Sequence, residues 1–359
     1  MAKIKEFDRE FFKNIAFDIE GLNFYDITEE PFKIHGLIRP ENENDTFRRM
    51  PREIAEKVSE GVKRIHTNTA GGRVRFKTNS SRIAIFAKMP TICKWPHFAL
   101  TGSAGFDVYV NNKYFKTFIP PYDMKDGYSG VVNTKNNDEK EIHINFPLYS
   151  DVSSLVVGLD KGASVSAPSP YKHEKPVVYY GSSITQGGFA SRSGIAYEEA
   201  ISRRLDCDYI NLGFASNAKG EREMAEYIRS LDMSAFVYDY DANADDAEYL
   251  QKTHKRMFDI IRERNPELPI IMLTFPNASL SEDYEKRRVV IKNTYLDALN
   301  SGDKNVYFID GCEMMREASD DNSTTVDDIH PNDYGFVVMA KKIGDTLEKA
   351  LASIWHNAD

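Results

Sequence analysis

The chain has 359 residues, more than one hydrophobic core usually serves, so two domains are expected. Hydrophobic residues make up 41% and charged residues 28%, an ordinary mix for a soluble globular protein. A formal net charge of -9 repels phosphate backbones and argues against nucleic acid and anionic membranes as partners, and apolar runs as short as Ile270–Leu273 cannot span a bilayer.

The N-terminus, Met1-Ala-Lys-Ile-Lys-Glu-Phe, is charged throughout and holds no apolar stretch of signal-peptide length. Cys93, Cys207 and Cys312 are odd in number and widely spaced, which suits reduced thiols better than a disulfide framework or a zinc site. A cytoplasmic location is therefore expected.

Up to about residue 165 the apolar residues mostly alternate. Arg73-Val-Arg-Phe-Lys, Arg82-Ile-Ala-Ile-Phe, Phe106-Asp-Val-Tyr-Val and Glu141-Ile-His-Ile-Asn-Phe read as half-buried strands. Ala70-Gly-Gly, Asn79-Ser-Ser, Asn111-Asn and Asn136-Asn-Asp supply turns between them, and only residues 51–60 have a helical pattern. Short strands at this spacing predict an N-terminal antiparallel β-sandwich of jelly-roll type over residues 1–165.

Residues 160–176 shift to Gly, Ala, Ser and Pro, a linker composition. Beyond them short apolar strands at 177–180, 209–212, 235–240, 270–274 and 306–309 alternate with helical stretches, clearest at 246–264, 284–300 and 334–354. Strand–helix alternation predicts a parallel sheet with helices on both faces, an α/β/α domain over residues 166–359. Such sheets bind and react at the carboxyl ends of their strands. Gly181-Ser-Ser-Ile-Thr, Gly213-Phe-Ala-Ser-Asn, Asp241-Ala-Asn, Phe275-Pro-Asn and Asp310-Gly fall there, small and polar.

A serine attacks a carbonyl only when a base takes its proton and donors hold the oxyanion. Gly181-Ser182-Ser183-Ile184-Thr185 follows a strand and precedes a helical stretch, so a serine there gains from a helix N-terminus; the plainer reading is a Ser cap on a βα turn. Thr325-Val-Asp327-Asp-Ile-His330-Pro331 places an acid and an imidazole three residues apart, able to supply a base and the carboxylate that orients it. Here the plainer reading is a helix cap with an incidental histidine.

Taken together, Gly181-Ser-Ser-Ile-Thr, Asn211-Leu-Gly-Phe-Ala-Ser-Asn217, Asp239-Tyr-Asp-Ala-Asn243 and Asp327-Asp-Ile-His330-Pro resemble the four ordered blocks of the SGNH/GDSL hydrolases. Thr101-Gly-Ser-Ala-Gly-Phe-Asp-Val-Tyr109 resembles the Gly-x-Asp-Leu-Tyr motif of a two-domain subgroup. The resemblance implies a flavodoxin-like hydrolase domain with Ser183 as nucleophile, Asp327 and His330 completing a triad, and an oxyanion hole from the Ser183 and Ser216 amides and the Asn243 side chain. It also implies that no cofactor or metal is needed. Four positions depart from the pattern: Ser182 replaces the common Asp, Ser216 replaces a Gly, and Ala242 and Asp245 stand where relatives often carry His and Pro.

Two-domain members of this layout include carbohydrate acetylesterases. A small acyl, first acetyl, ester on a carbohydrate is therefore the expected substrate, a small-molecule or oligosaccharide ester. Acyl transfer with the same triad and an inactive carbohydrate-binding protein are the alternatives. Trp95, His97 and Phe98 are candidate sugar contacts, although a loop packed on its own sandwich is the plainer reading. No Gly-x-Ser-x-Gly elbow, phosphate loop, His-Glu-x-x-His or Cys-x-x-Cys occurs. The strand-end acids Asp239, Asp241 and Asp310 read as solvated, and His254, among polar neighbours, as a surface residue.

Overall fold

The computed structural model of the protein describes residues 19–319 and 321–355. The charged N-terminal stretch read above, residues 1–7, lies outside them. The described residues form two compact units that do not follow chain order. Residues up to 49, 67–170 and 191–194 make the first; residues 50–66, 171–190 and 195 onward make the second.

The first unit is an antiparallel sandwich. Its strands are β1 (Leu22–Asp26), β2 (Lys33–His35), β3 (Arg73–Thr78), β4 (Arg82–Lys88) and β5 (Phe106–Val110), then β6 (Lys113–Phe118), β7 (Gly127–Asn133), β8 (Lys140–Asn145), β9 (Ser154–Asp160) and β10 (Val165–Ser166). One sheet runs β1-β9-β4-β7 and the other β10-β3-β8-β5-β6, with β2 also paired to β3. Val74 and Phe76 from one sheet meet Ile83, Ile85, Val157 and Leu159 from the other in a shared apolar core, as alternation requires. β4 exceeds the half-buried expectation, because Ala84 and Phe86 on its opposite side bury against Leu22 and Val156. β6 has no sequence signal: it pairs only with β5, its first four residues are exposed, and nothing forces Lys-Tyr-Phe-Lys to alternate.

The second unit has five parallel strands, β11 (His173–Gly181), β12 (Cys207–Gly213), β13 (Ala235–Asp239), β14 (Ile270–Leu273) and β15 (Val306–Ile309). Their order, β12-β11-β13-β14-β15, is that of flavodoxin-like sheets, with the switch of direction between β11 and β13. Val178, Tyr180, Leu212, Phe236, Tyr238, Ile270 and Met272 line one face and pack against helices Arg222–Ser230, Ala247–Arg264 and Glu282–Asn300. On the other face Tyr179 meets Tyr197 of helix Tyr197–Leu205 edge to face, centroids 5.6 Å apart. Helix Asp333–Trp355 buries Phe336, Met339, Ile343, Leu347 and Leu351, the spacing of one helical stripe.

The helical pattern at 51–60 becomes two short helices, Arg52–Val58 and Glu60–Ile65. Ser59 between them is extended and caps the second through a 3.1 Å bond from the Val62 amide. Met50, Ala55, Val58 and Val62 bury in the core of the α/β unit, whereas the residues before and after this stretch belong to the sandwich unit. Cys93, Cys207 and Cys312 are free thiols, and among the described residues no helix is long and apolar enough to cross a membrane.

His254 corrects an expectation. It is 1% exposed, because it shares the helical stripe of Leu250, Met257, Phe258 and Ile261. Its ring stacks on Tyr238 at 4.5 Å, its Nδ1 lies 3.0 Å from Thr294 Oγ1, and burial pushes its pKa from 6.5 down to about 3. A buried neutral imidazole binds fewer protons than the same group in the unfolded chain, so it favours folding fully above pH 6.5 and loses that contribution as pH falls toward 3. His254→Gln should therefore flatten the acid-side decline in stability over that window, measured by urea unfolding at a series of pH values. An unchanged slope would mean the ring charges in the folded state.

Candidate active site

β11 and β13 lie side by side, with Gly181 opposite Asp239, so their two exits form one end of the switch point. Gly181 is needed there because a Cβ would lie 1.8 Å from Asp239 Oδ1 and 2.1 Å from Thr185 Oγ1. Those two atoms hydrogen-bond, the Thr185 hydroxyl donating, which locks the turn onto the end of the neighbouring strand. Tyr197 OH donates to Thr185 Oγ1 from behind at 3.3 Å.

The chain beyond Gly181 does not enter a regular helix. Residues 182–189 wind through turns, closed by Gln186 N to Ser182 O (3.1 Å), Gly187 N to Ile184 O (2.9 Å) and Gly188 N to Ser183 O (2.8 Å), and the next α-helix begins at Tyr197. A helix dipole behind Ser183, expected from sequence, is thus replaced by local turn amides. The two adjacent serines point differently. Ser182 is buried and its Oγ accepts the Ile184 amide at 3.1 Å, whereas Ser183 Oγ lies 2.8 Å from His330 Nε2.

His330 sits on a tight loop whose ends pair at Thr325 and Pro331, with Val326 N donating to His330 O at 2.8 Å. Asp328 reverses the chain with φ 67, in the left-handed region, and its carbonyl accepts Asn277 Nδ2 at 2.6 Å from the loop after β14. The reversal returns His330 over Asp327. Asp327 Oδ2 lies 2.8 Å from His330 Nδ1, and Oδ1 accepts the His330 amide at 2.8 Å. Partial burial pushes the Asp327 carboxyl up, but the His330 amide, the His330 ring and the Ile329 amide more than offset it, leaving it below the ordinary carboxylate value. Ser183, His330 and Asp327 are thus joined in one line of hydrogen bonds.

The two remaining segments converge on the backbone of Phe214. Its amide donates to Gly181 O at 2.8 Å, and its carbonyl accepts Asn217 N (2.9 Å), Ala218 N (3.1 Å) and Asn243 Nδ2 (3.0 Å). Gly213, just before it, allows the close approach, since a Cβ would come within 2.2 Å of Gln186 N. Ser216, at the tip, is exposed and holds φ 59, a conformation in which glycine carries no side-chain penalty. Asn243 closes the short 3-10 turn Asp241–Asn243.

The strand-end acids are not solvated. Burial raises Asp239 well above the usual carboxylate range, and raises Asp241 to about 6 although its oxygens accept the Phe275 and Ala242 amides at 2.9 and 3.0 Å. Asp241 thereby ties the loop after β13 to the loop after β14. Asp310 caps helix Gly311–Arg316 and bonds Arg288. These three acids serve as local acceptors. Asn277, Thr185 and Phe189, whose ring centroid lies 4.4 Å from that of His330, complete the surroundings. The sequence assigned none of them a role, although Thr185 closes the first motif and Phe275-Pro-Asn277 lies just beyond a strand.

Trp95 and His97 belong to the sandwich unit, whereas Ser183, Ser216, Asn243, Asp327 and His330 belong to the α/β unit. Phe98 buries against Tyr149 at 5.1 Å, so the loop does pack on its own sandwich. Trp95 meets the same tyrosine edge to face at 5.5 Å yet stays 45% exposed, and His97 is exposed.

Residues 174–348 match the family model of GDSL-like lipases/acylhydrolases, and residues 22–165 match that of the N-terminus of SGNH-hydrolase-type esterases, GxDLY. Among solved structures, the chain is similar to a protein from Bacteroides ovatus ATCC 8483 named as a GDSL-like lipase, at 27% identity and TM-score 0.81 over 92% of this chain and 98% of that one. It is also similar to a salicylyl-acyltransferase from a tetracycline biosynthetic pathway, at 18% identity and TM-score 0.75 over 93% and 98%. An acetyl xylan esterase from the rumen bacterium Butyrivibrio proteoclasticus shares the fold at 13% identity and TM-score 0.60 over 93% and 99%. No curated protein matches the sequence.

The backbone at Ser216 makes a test of this loop's geometry. Ser216→Gly should relieve about 1–2 kcal/mol of left-handed strain, offset in part by the roughly 0.4–1 kcal/mol that glycine adds to unfolded-chain entropy. The urea midpoint should hold or rise slightly, whereas Ser216→Val should lower it. A clear fall for the glycine variant would show that the serine hydroxyl holds the loop.

Proposed function

Because this chain belongs to the GDSL-like lipase/acylhydrolase family and is an SGNH-type hydrolase, we propose that it is a serine esterase of small acyl esters, acetyl first, carried by carbohydrate. The observation that carries the reading is the line from Ser183 Oγ through His330 to Asp327, with both links at 2.8 Å. In this mechanism His330 Nε2 takes the Ser183 proton as Oγ attacks the acyl carbon, then returns it to the departing alcohol oxygen. Asp327 keeps the Nδ1 proton in place and stabilises the imidazolium. Water, deprotonated by the same nitrogen, attacks the acyl-serine, and that nitrogen returns the proton to Ser183 Oγ as the acid leaves.

The developing oxyanion is held by the Ser183 and Ser216 amides and by Asn243. The Asn243 Nδ2 carries two hydrogens; one goes to the Phe214 carbonyl, and the other is the proposed donor. Fixing the amide by that first bond orients the second before charge develops. Similarity to carbohydrate esterases supports the sugar ester, and the exposed face of Trp95, with His97 beside it, offers an aromatic surface for a sugar ring. Acyl transfer to another alcohol is the second reading, supported by the likeness to a salicylyl-acyltransferase. It uses the same residues and differs in whether water is kept out.

Ser183→Ala should abolish release of nitrophenol from nitrophenyl acetate, and an organophosphonate should label Ser183; labelling at Ser182 would overturn the assignment. His330→Ala should cost about as much as losing Ser183, because such groups act as a unit. Asn243→Ala should lower turnover on the order of a hundred- to a thousand-fold with the urea midpoint little changed. A panel of acetyl to octanoyl nitrophenyl esters, followed by acetylated oligosaccharides, reads the acyl and alcohol preferences. Trp95→Ala should weaken binding of an acetylated oligosaccharide and spare nitrophenyl acetate, since the two share an acyl transition state; equal effects on both would remove Trp95 from the sugar site.

A further inference from the structure

Helix Glu282–Asn300 of the α/β unit buries Arg287, Ile291, Thr294 and Ala298, one stripe at helical spacing. An arginine thus opens a face that otherwise packs. At 7% exposure its guanidinium has to find partners inside the same unit. It finds them on the loop after β13. Nη1 donates to Asp241 O (2.5 Å) and Ala244 O (2.8 Å), and Nη2 donates to Asp245 O (3.3 Å). Nε donates to Asp283 Oδ2 at 2.5 Å, one turn back on its own helix, and the guanidinium lies 5.0 Å from the centre of the Tyr284 ring.

The three carbonyls bracket Asn243, with Asp241 before it and Ala244 and Asp245 after. Between them the turn closes through Asn243 N to Tyr240 O (2.9 Å) and Ala244 N to Asp241 O (3.2 Å). Asp241 and Ala244 are buried, so their carbonyls depend on donors from the protein. A planar guanidinium presents its N–H groups in a fixed spread, which sets how far apart the two sides of the turn lie. An ammonium is a point charge and sets no such separation.

We propose that Arg287 is a positioning residue for Asn243. By holding the turn on both sides it fixes the direction of the Asn243 side chain, whose Nδ2 meets the Phe214 carbonyl at 3.0 Å. The effect on turnover rests on the reading of Asn243 as an oxyanion donor; the effect on the side chain does not.

The test uses the full chain and two readouts. Asn243→Ala identifies, by NMR, the side-chain amide pair of Asn243 as the pair that disappears. Arg287→Gln should move that pair. It should also lower kcat for nitrophenyl acetate on the order of tenfold, less than losing the donor itself, with KM changed less than about twofold. Added to Asn243→Ala, it should cost less than about a further twofold, because both break the same link. Arg287→Lys keeps the charge and loses the fork. It should move the pair and lower kcat by a smaller factor, and it serves if Arg287→Gln fails to fold. Three results would each overturn the proposal: an unmoved amide pair in the Arg287 variants, an unchanged kcat in them while Asn243→Ala lowers it, or losses that multiply in the double variant. A pair that moves while kcat ignores both Asn243→Ala and the Arg287 variants would uphold the hold on Asn243 and overturn Asn243 as a donor.

Discussion

The peptide unit of Phe214 is where the strand-end loops of the parallel sheet are fastened together. Its amide reaches the carbonyl of Gly181, and its carbonyl gathers the amides of Asn217 and Ala218 and the side chain of Asn243. Backbone groups at the open end of a sheet would otherwise turn to water. Spent on one another, they bring three segments, each about thirty residues from the next in sequence, to a common point. Gly181 and Gly213 are the price of that closeness, since a Cβ at either would collide with Thr185, Gln186 or Asp239. The nucleophile candidate, the loop of Ser216 and Asn243 all take their places from this junction.

A second layer of constraint lies beneath it, in buried acids. Asp239 receives the Thr185 hydroxyl, and Asp241 receives the Phe275 and Ala242 amides. Desolvation raises both pKa values, so these groups act as acceptors in a dry region while Asp327, better hydrogen-bonded and more exposed, is held below the usual range. Three carboxyl groups at one end of one sheet are therefore set to different proton affinities by their surroundings. The one facing His330 keeps its charge most readily.

The family relationship and the hydrogen-bonded line of Ser183, His330 and Asp327 bear on reaction class, while the substrate is a matter of what borders them. Val326 and Ile329, both partly exposed, flank His330 on its own loop, and Phe189 backs its ring. These apolar groups surround the hydrogen-bonded line of Ser183, His330 and Asp327. The sandwich unit, for its part, carries an exposed Trp95 supported by Tyr149.

Much was legible from the chain itself. Alternating isoleucines in 82–86 and 141–146, and the strand–helix rhythm after residue 176, follow from the two periods of buried backbone, and they determined sandwich and parallel sheet alike. The order of the four short motifs determined which serine, acid and imidazole to watch. Other features were decided only by tertiary structure. β6 lacks a pattern because an edge strand need not alternate. His254 looked like a surface residue because its sequence neighbours are polar, yet its helical neighbours four and seven positions away are core. Residues 50–66 and 191–194 join the unit that their sequence neighbours do not, because burial depends on what lies across a contact, which local periodicity does not encode. The same holds for Ser216: its identity was visible, but the left-handed turn that makes glycine the expected occupant arises from hydrogen bonds to Phe214 and Gln186, whose partners are set by the folded sheet.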